Sequence, residues 1–140
     1  MDRNLLRAGL LLILLGLFGG ILIPTMARPR LGLSAHLVAV EGGLLIGLVA
    51  VSWSLFRLTE LQGKLAKGLI IYANYANWIG TLLGAYWRAT RLMPIAGGEP
   101  AADGPQEALV AFLLYSLSAA ALAGVGLLLY GLRGSDPEQV

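Results

Sequence analysis

Polar residues interrupt this chain at only a few places, and between them lie four long apolar runs. They cover roughly residues 4–26, 33–58, 65–89 and 108–132. None alternates with the period of two that a half-buried strand needs. At ~1.5 Å per residue, each is long enough as a helix to cross a ~30 Å hydrocarbon core. Pro24 and Pro29 in "IPTMARPR" are expected to break the first helix, and Ser34 is a plausible N-cap for the second. The polar link "TELQGK" separates runs two and three. The longest link, "TRLMPIAGGEPAADGPQE" over 90–107, is rich in Gly, Pro and acids, and "RGSDPEQV" reads as a polar tail. The pattern predicts an all-α, polytopic membrane protein: a four-transmembrane-helix bundle forming one membrane domain over 1–140. The apolar stretch from Ala8 to Ala27 exceeds a usual signal-peptide core, so it reads as a retained helix.

Composition agrees with a lipid solvent. Of 140 residues 57% are hydrophobic and only 13% charged, with a mean hydropathy of +0.75, whereas soluble domains run near 25% charged. A formal net charge of +2 leaves no electrostatic footprint for nucleic acid. The absence of cysteine excludes disulfides, thiolate nucleophiles and iron–sulfur ligation. A single histidine excludes any multi-histidine metal site.

Four spans would place both termini on one side of the bilayer. That side collects Arg3, Arg7, Arg57, Lys64, Lys67 and Arg133; the other collects Arg28, Arg30, Arg88 and Arg91, with Glu99 and Asp103. The bias favours cytoplasmic termini. Small residues four apart (Gly16/Gly20, Gly43/Gly47, Gly80/Gly84, Ala120/Gly124) mark faces where helix backbones can approach closely. They support a compact bundle and leave subunit contacts open.

A few polar residues lie where lipid should forbid them. In "YANYANWIGTLLGAYWR", Asn74, Asn77 and Thr81 share one helical face, and Tyr72, Tyr75 and Tyr86 lie along another. They can be interhelical glue, or the wall of a pocket that orients a polar group and stacks an aromatic one. Trp87 and Tyr130 fit an interfacial belt, while Trp78 and Tyr75 sit mid-run and fit it poorly. Glu41 lies inside the second run, where an ionised carboxylate must be paired, protonated or turned to a cavity. His36 precedes it by five residues, ~140° away around a helix, so the two cannot bond from one face. They line different sides of one cavity, or one of them points into a subunit interface. A lone imidazole at a helix start can be an ordinary hydrogen-bonded interfacial residue. It can also serve as the single axial ligand of a haem, with Arg28, Arg30, Arg88 and Arg91 on its side of the membrane for the propionates.

The blocks "RPRLGLSAHL" and "YANYANWIGTLLGAYWRATRLMPIAGG" resemble the hydroxylaminobenzene mutase family, which is related to styrene oxide isomerase. The resemblance runs from the first segment through "MPIAGG" and more weakly over the fourth. It implies a four-helix membrane enzyme of the bacterial inner membrane, a homotrimer, and haem b whose iron is held by the residue matching His36 between neighbouring subunits. It implies a redox-neutral rearrangement of a small aromatic substrate. The mutase branch converts hydroxylaminobenzene-type aryl hydroxylamines to 2-aminophenols; the isomerase branch opens an aryl epoxide to an aldehyde. Both build positive charge beside an aromatic ring as an oxygen leaves. Tyr72, Tyr75 and Trp78 are candidates for the aromatic wall, Asn74 and Asn77 for substrate orientation, and Glu41 for charge stabilisation or removal of the ring proton. The family carries an asparagine six residues after the histidine, where this chain has Gly42. The epoxide branch carries an aspartate and a tyrosine at the positions of Ala73 and Thr81, which favours the mutase reaction. A non-enzymatic haem or assembly protein of the membrane is the reading from another class.

Overall fold

The computed structural model describes residues 1–100, 102 and 104–133. Asp103 and most of the polar tail lie outside the described residues. The described chain is helical, with no strand. Its helices are α1 (Arg3–Ile21), α2 (Pro29–Val51), α3 (Glu60–Trp87), α4 (Pro94–Gly97) and α5 (Pro105–Gly131), with 3-10 turns at Ile23–Thr25 and Trp53–Leu55. The four long helices lie side by side in the order α1, α2, α3, α5.

The helix ends differ from the sequence expectation for local reasons. Pro29 begins α2 instead of barring it, because a proline at the first helical position lacks only an N–H that would have no partner. Ser34 is therefore inside the helix and no cap; its hydroxyl donates back to the Arg30 carbonyl at 3.3 Å. At the other end Ser52 donates to the Leu48 carbonyl at 2.7 Å, and α2 stops at Val51, short of the expected Leu58. A capping box of Thr59 and Gln62 starts α3 at Glu60, several residues before the apolar run. Arg88 ends α3 in the left-handed region, at φ 59°. The long link folds in part, giving the single turn of α4.

Three helices, α1, α2 and α5, are long and apolar enough to cross a membrane, which marks an integral membrane protein. The fourth expected span is not of that apolar kind. Although α3 is the longest helix at 28 residues, charges occupy its first turns and amides and tyrosines its second half. It lies between α2 and α5 and also touches α1, where the Tyr75 hydroxyl donates to the Ala8 carbonyl at 2.9 Å. Tyr72 and Ser116 join it to α5 by a 2.6 Å hydroxyl–hydroxyl bond.

Glycine sets the α1–α2 contact. A Cβ on Gly9 would fall 2.6 Å from the Gly43 carbonyl oxygen, and one on Gly43 would fall 2.5 Å from that of Gly9. Backbone meets backbone there, which only glycine permits. The expected pairs do mark helix contacts: Gly16 meets Ala39, Gly80 meets Leu113, and Gly124 meets Leu69 and Ile70.

Each end of the bundle is tied. At one end the Asp2 N–H donates to the Ala50 carbonyl at 2.9 Å, and the Asp2 carboxylate caps α1 and pairs with Lys67 at 2.5 Å. Lys67 also sits over the Trp53 ring, 4.1 Å from its centroid. Arg57 N–H donates to the Gly131 carbonyl at 2.7 Å. At the opposite end Arg28 N–H donates to the Ala85 carbonyl at 3.0 Å and its guanidinium to the Glu99 carbonyl at 2.6 Å. Basic residues thus fall into the two groups that the spacing implied.

Gly43→Val should cost at least the ~1–3 kcal/mol of an overpacked core, because besides the Ile13 side chain it strikes the Gly9 carbonyl oxygen, which is backbone and cannot turn aside. Thermal unfolding in detergent checks this against Gly68→Ala, whose Cβ would meet nothing within 4 Å. The Lys67 ammonium, then the amides of Leu5 and Asn4, hold the Asp2 carboxyl below the ordinary carboxylate range. A depressed native value stabilises the fold above the unfolded value of about 3.9, and the gain disappears as pH falls below it. Asp2→Asn should flatten the loss of melting temperature between neutral pH and the acid limb, followed by a thermal melt at each pH.

Candidate active site

His36 lies on the stripe of α2 that faces α1, with Ala39 and Gly43 following on the same side. Its Nδ1 is 2.9 Å from the Gly16 carbonyl oxygen. A carbonyl can only accept, so Nδ1 carries the hydrogen and donates. The ring lies against Gly20, where a Cβ would be 2.8 Å from Nδ1 and 3.2 Å from Cε1. Among the described residues Nε2 has no hydrogen-bond partner.

A cavity of about 240 Å³ opens on the other side of α2, between α2, α3 and α4. Leu31 and Val38 form one wall, Met93, Pro94 and Ile95 form a roof, and Ser34 and Thr81 supply the polar groups. Thr81 is 4% exposed, and no hydrogen bond engages its hydroxyl among the described residues. A mostly apolar space with two hydroxyls suits a single aromatic ring that bears one small polar substituent. Glu41 follows Val38 by three residues on α2, and Asn77 precedes Thr81 by four on α3, so each shares a helix face with a cavity residue about one turn away, although neither lines the cavity itself. Glu41 is exposed near the middle of α2, among Leu37, Leu44 and Leu48, with no ion pair in the described chain.

The other residues named from sequence separate. Asn74 donates to the Ile70 carbonyl at 2.8 Å, and its Oδ1 lies 2.7 Å from where a Cβ of Gly42 would be. The amide of α3 thus fills the space over Gly42. Tyr75 and Trp78 turn toward α1 and pack with the core of α1, α2 and α3. The Trp78 indole nitrogen is buried with no hydrogen-bond partner among the described residues. Tyr72 faces α5. The three aromatics therefore do not form one wall within a single chain.

The arginines divide as well. Arg28 is half-buried: its Nη2 donates to the Glu99 carbonyl, while its Nε is buried with no hydrogen-bond partner among the described residues, beside a cavity of about 300 Å³ that Arg30 also lines. Arg88 caps α3, and its carbonyl accepts from Ala102 N–H at 3.4 Å. Arg91 lies next to α5, where its N–H donates to the Glu107 carboxylate at 3.3 Å. Arg91 is thus on the α5 side of the molecule, while His36 is on the α1 side. Thr81 and Ser34 are the cavity residues that sequence reasoning missed as a pair. The signal was present in the helical repeat of Asn74, Asn77 and Thr81, but the partner wall came from a serine assigned to a cap.

Comparison with known proteins finds relatives along nearly the whole chain. Hydroxylaminobenzene mutase HabB of Ectopseudomonas oleovorans is 44% identical over 138 residues, covering 98% of this chain and 84% of the relative. Hydroxylaminobenzene mutase HabA of the same organism is 38% identical over 133 residues, covering 94% and 98%. No solved structure matches the chain. The styrene oxide isomerase family model matches residues 1–133, and the chain belongs to that family and is an isomerase.

Proposed function

We propose that this protein converts aryl hydroxylamines of the hydroxylaminobenzene type to 2-aminophenols without net redox change. The observation that carries this reading is the 44% identity to a hydroxylaminobenzene mutase across 98% of the chain. Thr81 in the cavity supports it too, since the resemblance, with Tyr75-Ala76-Asn77 matched to the epoxide branch's Trp-Ala-Asn, implies a tyrosine there in that branch. The protein acts in this reading as four membrane spans in one domain, with α3 the polar span shielded by its neighbours. Its place is the bacterial inner membrane with both termini cytoplasmic, in keeping with the basic residues at that end.

Haem b is the proposed cofactor, and the donor chemistry at His36 fits it. With Nδ1–H committed to the Gly16 carbonyl, the imidazole keeps its lone pair on Nε2, the nitrogen that would hold the iron of a bound haem. Iron held inside a porphyrin would need a single protein donor, which the chain's one histidine can supply. When bound, the ferric haem supplies a Lewis acid toward the substrate's oxygen. His36 faces away from the cavity, and Arg91 lies against α5 on the other side of the molecule. A homotrimer resolves that separation, because the imidazole of one copy can then serve the groove of the next. It also covers the outer face of α2, where Glu41 otherwise meets lipid.

The chain's own residues have assignable tasks. The apolar walls at Leu31, Val38 and Met93 hold the ring and exclude water that would quench a cationic intermediate. Thr81 and Asn77 orient the nitrogen substituent. The nitrogen–oxygen bond breaks, a carbon–oxygen bond forms at the ortho carbon, and the ortho carbon loses its proton to Glu41. A proton returned to nitrogen completes the 2-aminophenol, so reactant and product are isomers.

Epoxide opening to an aldehyde is a second reading, favoured by the family model. Supplying hydroxylaminobenzene and styrene oxide in parallel to the purified protein ranks the two. Turnover of the hydroxylamine at the higher kcat/KM is the expected result, and conversion of the epoxide alone would refute the mutase assignment. His36→Ala should remove the Soret band and lower kcat/KM by about 10³-fold or more, the equivalent of several kcal/mol of lost Lewis-acid stabilisation. Glu41→Gln should lower kcat about 10²–10⁴-fold with the Soret band intact, as expected for loss of a general base. Unchanged turnover would remove Glu41 from the reaction.

A further inference from the structure

We infer that Gly20, together with the Gly16 carbonyl, is the positioning device of His36: α1 holds the imidazole in the Nδ1–H tautomer and leaves Nε2 as its sole basic nitrogen. This rests on the haem reading only for its purpose; the geometry stands without it. The three heavy atoms nearest to a Cβ on Gly20 all belong to the His36 ring, at 2.8, 3.2 and 3.4 Å. Gly20 therefore has one structural task here, to leave room for the ring against the α1 backbone. Gly16 has another. A Cβ there would be 2.6 Å from that of Ala39, so its absence brings α1 close enough for the carbonyl to reach Nδ1. A carbonyl has two lone pairs, so Gly16 can serve its helix and the ring together.

The consequence is directional. A neutral imidazole has one bare nitrogen, and the bond to Gly16 assigns it to Nε2. Hydrogen bonding from the far nitrogen also raises the basicity of the ligating one and stops the ring from rotating. An alanine at position 20 meets only a side chain that can turn. Gly20→Ala should therefore leave the helices packed and tilt the imidazole off the carbonyl. Gly19→Ala is the matched control, since its Cβ would meet nothing within 4 Å.

The chain has one histidine, so a ¹⁵N-histidine label reports this ring alone. Solid-state ¹⁵N and ¹³C spectra of the full-length protein in liposomes, in a diamagnetic state, read the tautomer directly. Wild type and Gly19→Ala should show a protonated Nδ1, and Gly20→Ala a mixture of tautomers. A protonated Nε2 beside a bare Nδ1 in wild type, or identical spectra for all three proteins, would overturn the inference. If a porphyrin co-purifies, Gly20→Ala should release it to a scavenger about 10–100-fold faster than Gly19→Ala, the range for loss of an outer-shell partner. Equal release would refute the positioning role. A protonated Nδ1 in a preparation that binds no porphyrin would sink the haem reading and leave this one standing.

Discussion

The close backbone approach of α1 and α2 is the constraint on which the rest depends. In lipid no hydrophobic drive presses helices together, so association relies on packing and on hydrogen bonds between them. Gly9 against Gly43 and Gly16 against Ala39 remove the side chains that would keep the axes apart. Only at that separation can a helix carbonyl reach an imidazole on the neighbouring helix. The same contact that stabilises the bundle thus orients the most reactive side chain in it.

On the far side of α2 the packing is looser and more polar. Asn74 takes the room left by Gly42, and Thr81 and Ser34 face a cavity roofed by Met93, Pro94 and Ile95. The division puts the His36 imidazole and an aromatic-sized space on opposite sides of one helix. Neither side alone has the groups for the rearrangement, which is why assembly of several copies belongs to the proposed function.

Much of the fold was legible in the sequence because lipid demands long apolar runs, and the four runs did become the four long helices. The spaced glycines also read correctly, since steric need at close contacts leaves few other residues possible. Helix ends were less legible. Pro29 looks like a breaker by composition and is a starter by position, and Ser34 has a cap's chemistry one turn too late. The site was legible in part. Rarity singled out His36 and Glu41, and helical spacing grouped Asn74, Asn77 and Thr81. Spacing could not say which neighbour each face meets, so Tyr72, Tyr75 and Trp78 were grouped although they turn toward different helices. The amide over Gly42 shows the same limit: the group sits on the facing helix, where no alignment of one stretch with itself would find it.

The polarity of α3 bears on how such a chain is made. On the four-span reading, its second half is too rich in amides and phenols to leave a translocation channel for lipid by itself. The α1–α2 hairpin is synthesised first and already presents acceptors such as the Ala8 carbonyl, which Tyr75 takes up. Biogenesis then has a built-in order, in which a finished hairpin acts as the template that receives α3, and α5 closes the exposed flank afterwards.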